Sequence, residues 1–418
     1  MTHDAEATPT PTPNRTTLRG VRYVSMHDDS GYGIAAQRAM RLLRAAGVPV
    51  TWVPMVRGMR WALGYEPYHG HDAGDAALRA TCNRAIPVDL LVANTVPEYY
   101  PHLAAQYPGV PIVGSTVWET TRVPRHWPAL LAPLRRIIVP TAWNRDILGA
   151  EPGLPPIDIV AHALDPYAVA PHALDPNAID SGDTVRVLAD RTLLEGVHDD
   201  DFVFYTIGMW STRKAVDLTL EAYLRAFTAQ DRVVLVIKTS AADMSSGIRG
   251  RFRVSTRRRV QAMRQRYRNP PRVVLQSEPA SPAAMHALHS RGDCYVSLSR
   301  AEGWGLGAYD AAARGRPVIM TAFGGQRDFL PAAHATLVNY ALVPVVERVR
   351  RREYSPDQQW AEPDIAHAVA LLRATFADRD AAKTRGAGLG AYVRDRFDDA
   401  TVSAQLVHAL ERAVAGVP

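Results

Sequence analysis

The chain has 418 residues, 47% of them hydrophobic and 22% charged, with a formal net charge of +6 and a pI near 9.4. That is enough material for two or more packed domains with a cleft between them, and the basic balance calls for an anionic partner. With no run of 18 apolar residues and no apolar N-terminal stretch, a membrane-spanning helix and a secretory leader are not expected, and a cytoplasmic protein is.

Residues 1–17, rich in Thr and Pro, read as a disordered tail. GVRYVSM (20–26) reads as a buried strand, followed by a polar Gly-containing loop, an amphipathic helix near 33–46, a Gly stop and a second strand. Further strands at 88–94, 110–117 and 136–141 continue the period of an open parallel sheet with helices on both faces. From about 152 to 200 the pattern loosens. GLPPIDIV holds one short strand, and HALDP occurs at 162 and again at 172. Pro and turn residues interrupt every helix there, so the stretch reads as an interdomain linker, with His162 and His172 in solvent rather than on a metal.

A second alternation begins with a strand at 200–208, a helix at 216–230, and strands at 232–238 and 272–277. A helix opening with Ser-Pro, a strand at 293–299, a helix near 306–314 and the strand PVIMTA follow, and the tail from 377 onward is helical. The expected fold class is α/β, with two Rossmann-like domains facing each other across a cleft. The N-terminal domain would span 18–180, the C-terminal domain 181–395, and a final helix in 396–418 would return to the first domain. Cys82 and Cys294 match no disulfide or metal spacing and are expected to be free thiols.

Ligands of open parallel sheets bind beyond the carboxyl ends of the strands. There the chain places SRAEGWGLGAYDAAARGRPVIM (299–320), with Glu302 and Asp310 eight apart and Gly303, Gly305 and Gly307 between them. A Gly-rich loop entering a helix suits a phosphate, whereas carboxylates accept hydrogen bonds from hydroxyls. Together they fit a nucleoside diphosphate sugar; the spacing alone fits equally a loop acid and a solvated helix acid. Arg213 and Lys214, after a strand and Gly208, supply cations that could neutralise a departing diphosphate. Lysine is rare in this chain, and two of its three, Lys214 and Lys238, sit where strands feed a cleft.

These residues resemble the retaining glycosyltransferases of family 4, with the GT-B fold. EGWGLGAYDAAARGRPVIMTAFGG is similar to the family's donor-site signature, and GMWSTRKAVDLTLEAY to its pyrophosphate-binding strand, loop and helix. SGYGIAAQRAMRLLRAAG resembles the glycine-rich first loop and helix, and STVWETTRVPRHWPALLAPLRRIIVPTAWNRDIL a stretch of a bacterial subgroup; the resemblance spans about 20–410. It implies that Glu302 binds donor-sugar hydroxyls and that Asp310, where the family has mostly Glu, holds the ribose. Arg213, Lys214 and the backbone at Gly305 and Leu306 would meet the diphosphate, and Gly31 and Gly33 would let the first loop approach donor and acceptor. Where many members place a histidine on the transferred sugar, this chain offers Trp118 and Glu119, and Glu119 is the candidate. The implied reaction is transfer with retention of configuration to an unidentified acceptor hydroxyl, with no cofactor and no metal.

The run His198-Asp-Asp-Asp201 directly precedes a strand and reads as a turn rather than a metal–diphosphate site. Residues 249–272 carry ten arginines and no acid. A solvated amphipathic helix is the first reading, peripheral contact with the inner membrane face or an anionic acceptor the second, and nucleic acid the last, because aromatic interleaving is sparse. Competing functions are a nucleotide-sugar epimerase or phosphorylase on a similar scaffold, or a basic nucleic-acid-binding protein.

Overall fold

The computed structural model describes residues 16–58, 60–61, 63–74, 76–169, 192–245 and 254–417. Residues 1–15 of the tail, the second HALDP copy with His172, the expected boundary at 180/181, and Arg249, Arg251 and Arg253 lie outside the described residues.

Seven described strands form the first sheet: β1 (Val21–Met26), β2 (Val50–Arg57), β3 (Tyr65–Pro67), β4 (Leu90–Asn94), β5 (Ile112–Ser115), β6 (Arg136–Val139) and β7 (Ile157–Ile159). Their order is β3-β2-β1-β4-β5-β6-β7, parallel except for β2 with β3. Runs such as LLVAN show no polar alternation because helices cover both faces, and Leu90 through Ala93 are each 1% exposed or less. Helix α1 (Gly31–Ala45) begins two residues before the expected position, because Ser30 Oγ accepts the Gly33 amide and caps it there. Helix α2 (Ala142–Gly149) follows β6, capped in the same way by Thr141 on the Asn144 amide.

The second sheet contains β8 (Phe202–Ile207), β9 (Val233–Lys238), β10 (Arg272–Gln276), β11 (Cys294–Ser297), β12 (Val318–Thr321) and β13 (Thr336–Val338). All its pairings are parallel, in the order β10-β9-β8-β11-β12-β13. Helix α3 (Val216–Ala226) follows β8 and helix α4 (Leu306–Ala313) follows β11. In each sheet the direction of strand addition reverses, at β1/β4 and at β8/β11, which opens a crevice at the carboxyl ends. The short β3 and the edge strand β13 have no counterpart in the sequence reading, and neither has an antiparallel ribbon of β14 (Tyr340–Pro344) and β15 (Gln359–Pro363) inserted after β13.

The two sheets are tied together by charge as well as by packing. Arg38 of α1 places its two terminal nitrogens 2.8 Å from the two oxygens of Asp310 on α4, a bidentate pair with both residues under 10% exposed. Burial works against the charge on Arg38, but Asp310 outweighs it and pushes the guanidinium above its usual value. The last helix, α5 (Asp399–Ala415), packs on α1, with Arg41 on Asp399 at 2.6 Å, and Arg135 donates to the Ala413 carbonyl at 3.0 Å. Thr16 and Thr17, at the end of the segment read as a disordered tail, hydrogen-bond Glu411 on the same helix.

The first HALDP copy is packed rather than solvated, which corrects the expectation for His162. Its ring meets Trp304 edge-on at 5.3 Å, its carbonyl accepts from Tyr309 at 2.9 Å, and Ala163 and Leu164 are buried. Burial, with Arg38 nearby, pushes the His162 imidazole down to about 3. Asp165 closes the turn on Arg314 at 2.5 Å. An apolar pair inside a Pro-bounded repeat was the missed signal for burial.

The Arg38–Asp310 pair gives the first test. Asp310→Ala strands a buried guanidinium and should lower unfolding stability in urea by about 3 kcal/mol. An Arg38→Met/Asp310→Leu double variant, which leaves no buried charge unpaired, should recover most of that loss.

Candidate active site

The site grows from two strand ends. After β11 the chain runs through a tight loop to α4, and Gly305, with φ +94, is the left-handed residue that starts the helix. Gly303 carries no Cβ because one would lie 2.9 Å from Val117 Cβ, so the loop presses directly against the first domain. Asn144 of α2 clamps it there, donating to the Gly303 carbonyl at 2.9 Å while accepting from the Trp118 amide at 2.6 Å. Behind the loop, the Gly325 amide donates to the Glu302 carbonyl at 2.8 Å.

After β8 the chain passes Gly208 and turns through Arg213 and Lys214 into α3, with Ala215 in the left-handed region at φ 44. Lys214 Nζ lies 2.7 Å from both oxygens of Glu302, and its stem crosses Gly208. Arg213 donates to the Ala301 carbonyl at 2.8 Å, and its guanidinium lies 3.4 Å from Glu302 and 3.3 Å from Glu119. Glu302 is only 5% exposed. Burial alone would raise its carboxyl; Lys214 and then Arg213 outweigh that and hold it below the usual carboxylate range. Arg213 is likewise pushed up by Glu119 and Glu302 against the effect of burial.

Of the residues singled out from the sequence, Glu302, Arg213, Lys214 and Glu119 meet in one ion-paired cluster, with Gly208 under the lysine. Gly31, at the first turn of α1, faces Leu306 at the first turn of α4, where a Cβ on Gly31 would stand 3.9 Å from Leu306 Cδ1. Gly33 is fixed more tightly, since a Cβ there would fall 1.9 Å from the Asp28 carbonyl oxygen. Two helix starts thus converge beside the paired cations, an arrangement suited to a diphosphate. Asp310 stands apart from the cluster, one turn into α4, with one lone pair of each oxygen engaged by Arg38.

The structure adds Tyr354, whose hydroxyl donates to Glu119 at 3.1 Å, and Asn144 and Arg38. Arg38 left a signal in the sequence, a charge on the small-residue face of α1; Tyr354 left none, because it arrives from an insertion. The group His198, Asp200 and Asp201 brings ligand atoms within 4.8 Å of one another, but at the amino end of β8, away from the site. Asp201 accepts the His198 amide at 2.7 Å and pairs with Arg272 at 2.6 Å, and Asp200 pairs with Arg232, which is the chemistry of a charged turn.

Comparison with known proteins places this geometry. Residues 189–406 match a family model described as family 4 glycosyltransferase in conflict systems. No curated protein sequence matches. HepE of Anabaena, solved in complex with UDP and glucose, is similar at a TM-score of 0.60 and 12% identity, covering 94% of this chain and 99% of that one. Sucrose-phosphate synthase of Thermosynechococcus elongatus is similar at 0.64 and 16% identity, covering 95% and 99%. A UDP-forming α,α-trehalose-phosphate synthase of Burkholderia xenovorans is similar at 0.58 and 14% identity, covering 94% and 99%. These likenesses give the fold, the two-domain GT-B architecture.

Glu302 sets a pH test. Because its carboxyl is held down in the folded state, its contribution is fully present above the unfolded glutamate value of about 4.3 and is lost as pH falls through the folded one. The stability difference between the wild type and Glu302→Gln, measured by urea denaturation, should be constant above pH 5 and shrink only in stronger acid.

Proposed function

The chain belongs to family 4 of the glycosyltransferases, in the branch described from conflict systems, and on that premise we propose that it moves a sugar from a nucleoside diphosphate sugar to an acceptor hydroxyl with retention of anomeric configuration. The carrying observation is the Lys214–Glu302–Arg213–Glu119 cluster beside the first turns of α1 and α4. UDP and glucose in the HepE complex support a uridine diphosphate donor.

In this reading the four charges balance while the cleft is empty, and the diphosphate takes Lys214 and Arg213 as counter-charges while Glu302 accepts from the sugar hydroxyls. The acceptor oxygen bonds to the anomeric carbon on the face from which the diphosphate oxygen leaves, and its proton passes to a phosphate oxygen. Such a step needs a stabilised leaving group more than a protein base. Arg213 and Lys214 fill that role in place of a metal, and amides at Gly305 and Leu306 add to it. Asp310 keeps a free lone pair on each oxygen for the ribose, beside Arg38. For the acceptor, the exposed Arg257, Arg258, Arg266 and Arg268 offer an anionic acceptor or membrane headgroups a cationic surface, so a peripheral position at a membrane belongs to the same proposal. No described helix is long and apolar enough to cross a membrane.

Thermal unfolding with a panel of nucleoside diphosphates tests the reading. UDP at 100 times its Kd should stabilise the protein by about 2.7 kcal/mol. Arg213→Ala should abolish the shift, and Glu302→Gln should lower kcat/KM for the sugar donor at least ~100-fold. No shift with any nucleotide, together with tight salt-sensitive RNA or DNA binding, rejects the proposal.

A further inference from the structure

The ribbon β14–β15 belongs by sequence to the second domain, yet it lies across the cleft on the loop of the first domain that carries Glu119. The Thr121 amide donates to the Gln359 carbonyl at 3.1 Å, and the Gln359 amide donates to Thr121 Oγ1 at 2.8 Å. Thr120 meets Gln358 at 3.0 Å, and Arg125 pairs with Asp357 at 3.2 Å. Beneath these bonds, Val345, Tyr354 and Trp360 are buried with Trp118 and Trp127 in one apolar cluster, and the Tyr354 ring stacks on Trp118 with centroids 5.0 Å apart. Such packing fixes the Tyr354 ring through contacts its hydroxyl does not make.

At the other end the ribbon grips the turn that carries the cations. The Ala361 amide donates to the Arg300 carbonyl at 3.0 Å, and Arg300 Nε reaches Glu362 at 2.7 Å. Arg300 in turn donates through its guanidinium to the Thr212 carbonyl at 2.7 Å and through its amide to the Arg213 carbonyl at 2.8 Å. The backbone of Arg213 is therefore held through Arg300, and its side chain through Glu119, which receives the Tyr354 hydroxyl on one oxygen and faces the guanidinium with the other. Burial and the charge of Glu119 push the Tyr354 phenol far above its usual value, so it remains a donor across the working range.

We propose that Tyr354 is a positioning residue for sugar transfer: delivered across the cleft by the ribbon, its hydroxyl orients Glu119, which holds the Arg213 guanidinium toward the leaving diphosphate. Without the hydroxyl, one Glu119 oxygen loses its donor, the carboxylate is free to rotate, and Arg213 loses the partner that fixes its outer nitrogen. The reaction then suffers at the step where charge develops on the diphosphate, while the donor-binding amides and Lys214 are untouched. The ribbon thus makes a complete site depend on both domains being in contact.

The assignment rests on the nucleotide-sugar reading above, and the test separates the two. UDP-glucose, UDP-galactose, UDP-N-acetylglucosamine and GDP-mannose serve as donors, with release of the nucleoside diphosphate as the signal. Tyr354→Phe keeps the ring on Trp118 and should fold with an unchanged Tm, lower kcat by about tenfold and leave the donor KM within about threefold. Glu119→Gln should lower kcat similarly, and the double variant should be no slower than the slower single one, because both act through one contact. A Tyr354→Phe variant with wild-type kcat, or losses that multiply in the double variant, overturns the assignment and leaves the donor reading standing. A wild-type protein that releases nucleotide from none of the four donors overturns the donor reading and this assignment with it.

Discussion

A carboxylate withdrawn from water must be given its counter-charge by the fold, and Glu302 is that constraint here. It lies at the start of α4, on a loop wedged between two domains, and it is tolerable only because Lys214 and Arg213 reach it from the neighbouring strand end. The pairing of β8 with β11 meets that requirement by putting the cation-bearing turn and the Gly-rich loop on the same edge. Arg213 in turn carries a second carboxylate, Glu119, from the other domain. Two cations and two acids in contact sum to zero, so this cluster is electrically balanced within itself.

The same logic extends along the interface. Arg38–Asp310, Arg41–Asp399 and Arg314–Asp165 are all arginine–aspartate pairs between segments far apart in sequence. A planar guanidinium with five donors satisfies an acid and a nearby carbonyl at once, as Arg38 does with Asp310 and Ala163, and that suits partly dry contacts better than a lysine's compact charge. With only three lysines in the chain, the placement of one of them on Glu302 stands out. Lysine has the flexible stem and single charged point that can move from a carboxylate to a phosphate without breaking a fixed fork.

Much of this was legible because it is local. Near-continuous apolar runs such as VRYVSM and VVLVIK announced parallel strands buried on both faces, and Ser281-Pro announced a helix start. Glu302, Arg213 and Lys214 could be picked out because each lies in the loop that leaves a strand end, where the chain turns into the crevice. Glu119 rested on resemblance alone until the structure brought it to Arg213. The ribbon was illegible: YALVP and QWAEP are short, lie 14 residues apart, and enclose a polar, arginine-rich stretch too long for a hairpin turn to link them. His162 misled because a Pro-bounded repeat looks like a loop whether or not another domain packs on it. The partner of Asp310 was illegible for a different reason: its spacing from Glu302 is local, whereas only the position of α1 reveals Arg38 beside it.

By itself the sequence determined two α/β units, the edge of each sheet where the strand ends open a crevice, and the residue types gathered there, because periodicity and capping act over a few residues. The tertiary structure alone decided which charges pair. Ion pairs, ring stacking and the reach of Tyr354 depend on how two sheets and an inserted ribbon are set against one another, and distances across a domain interface have no period in the sequence from which to be read.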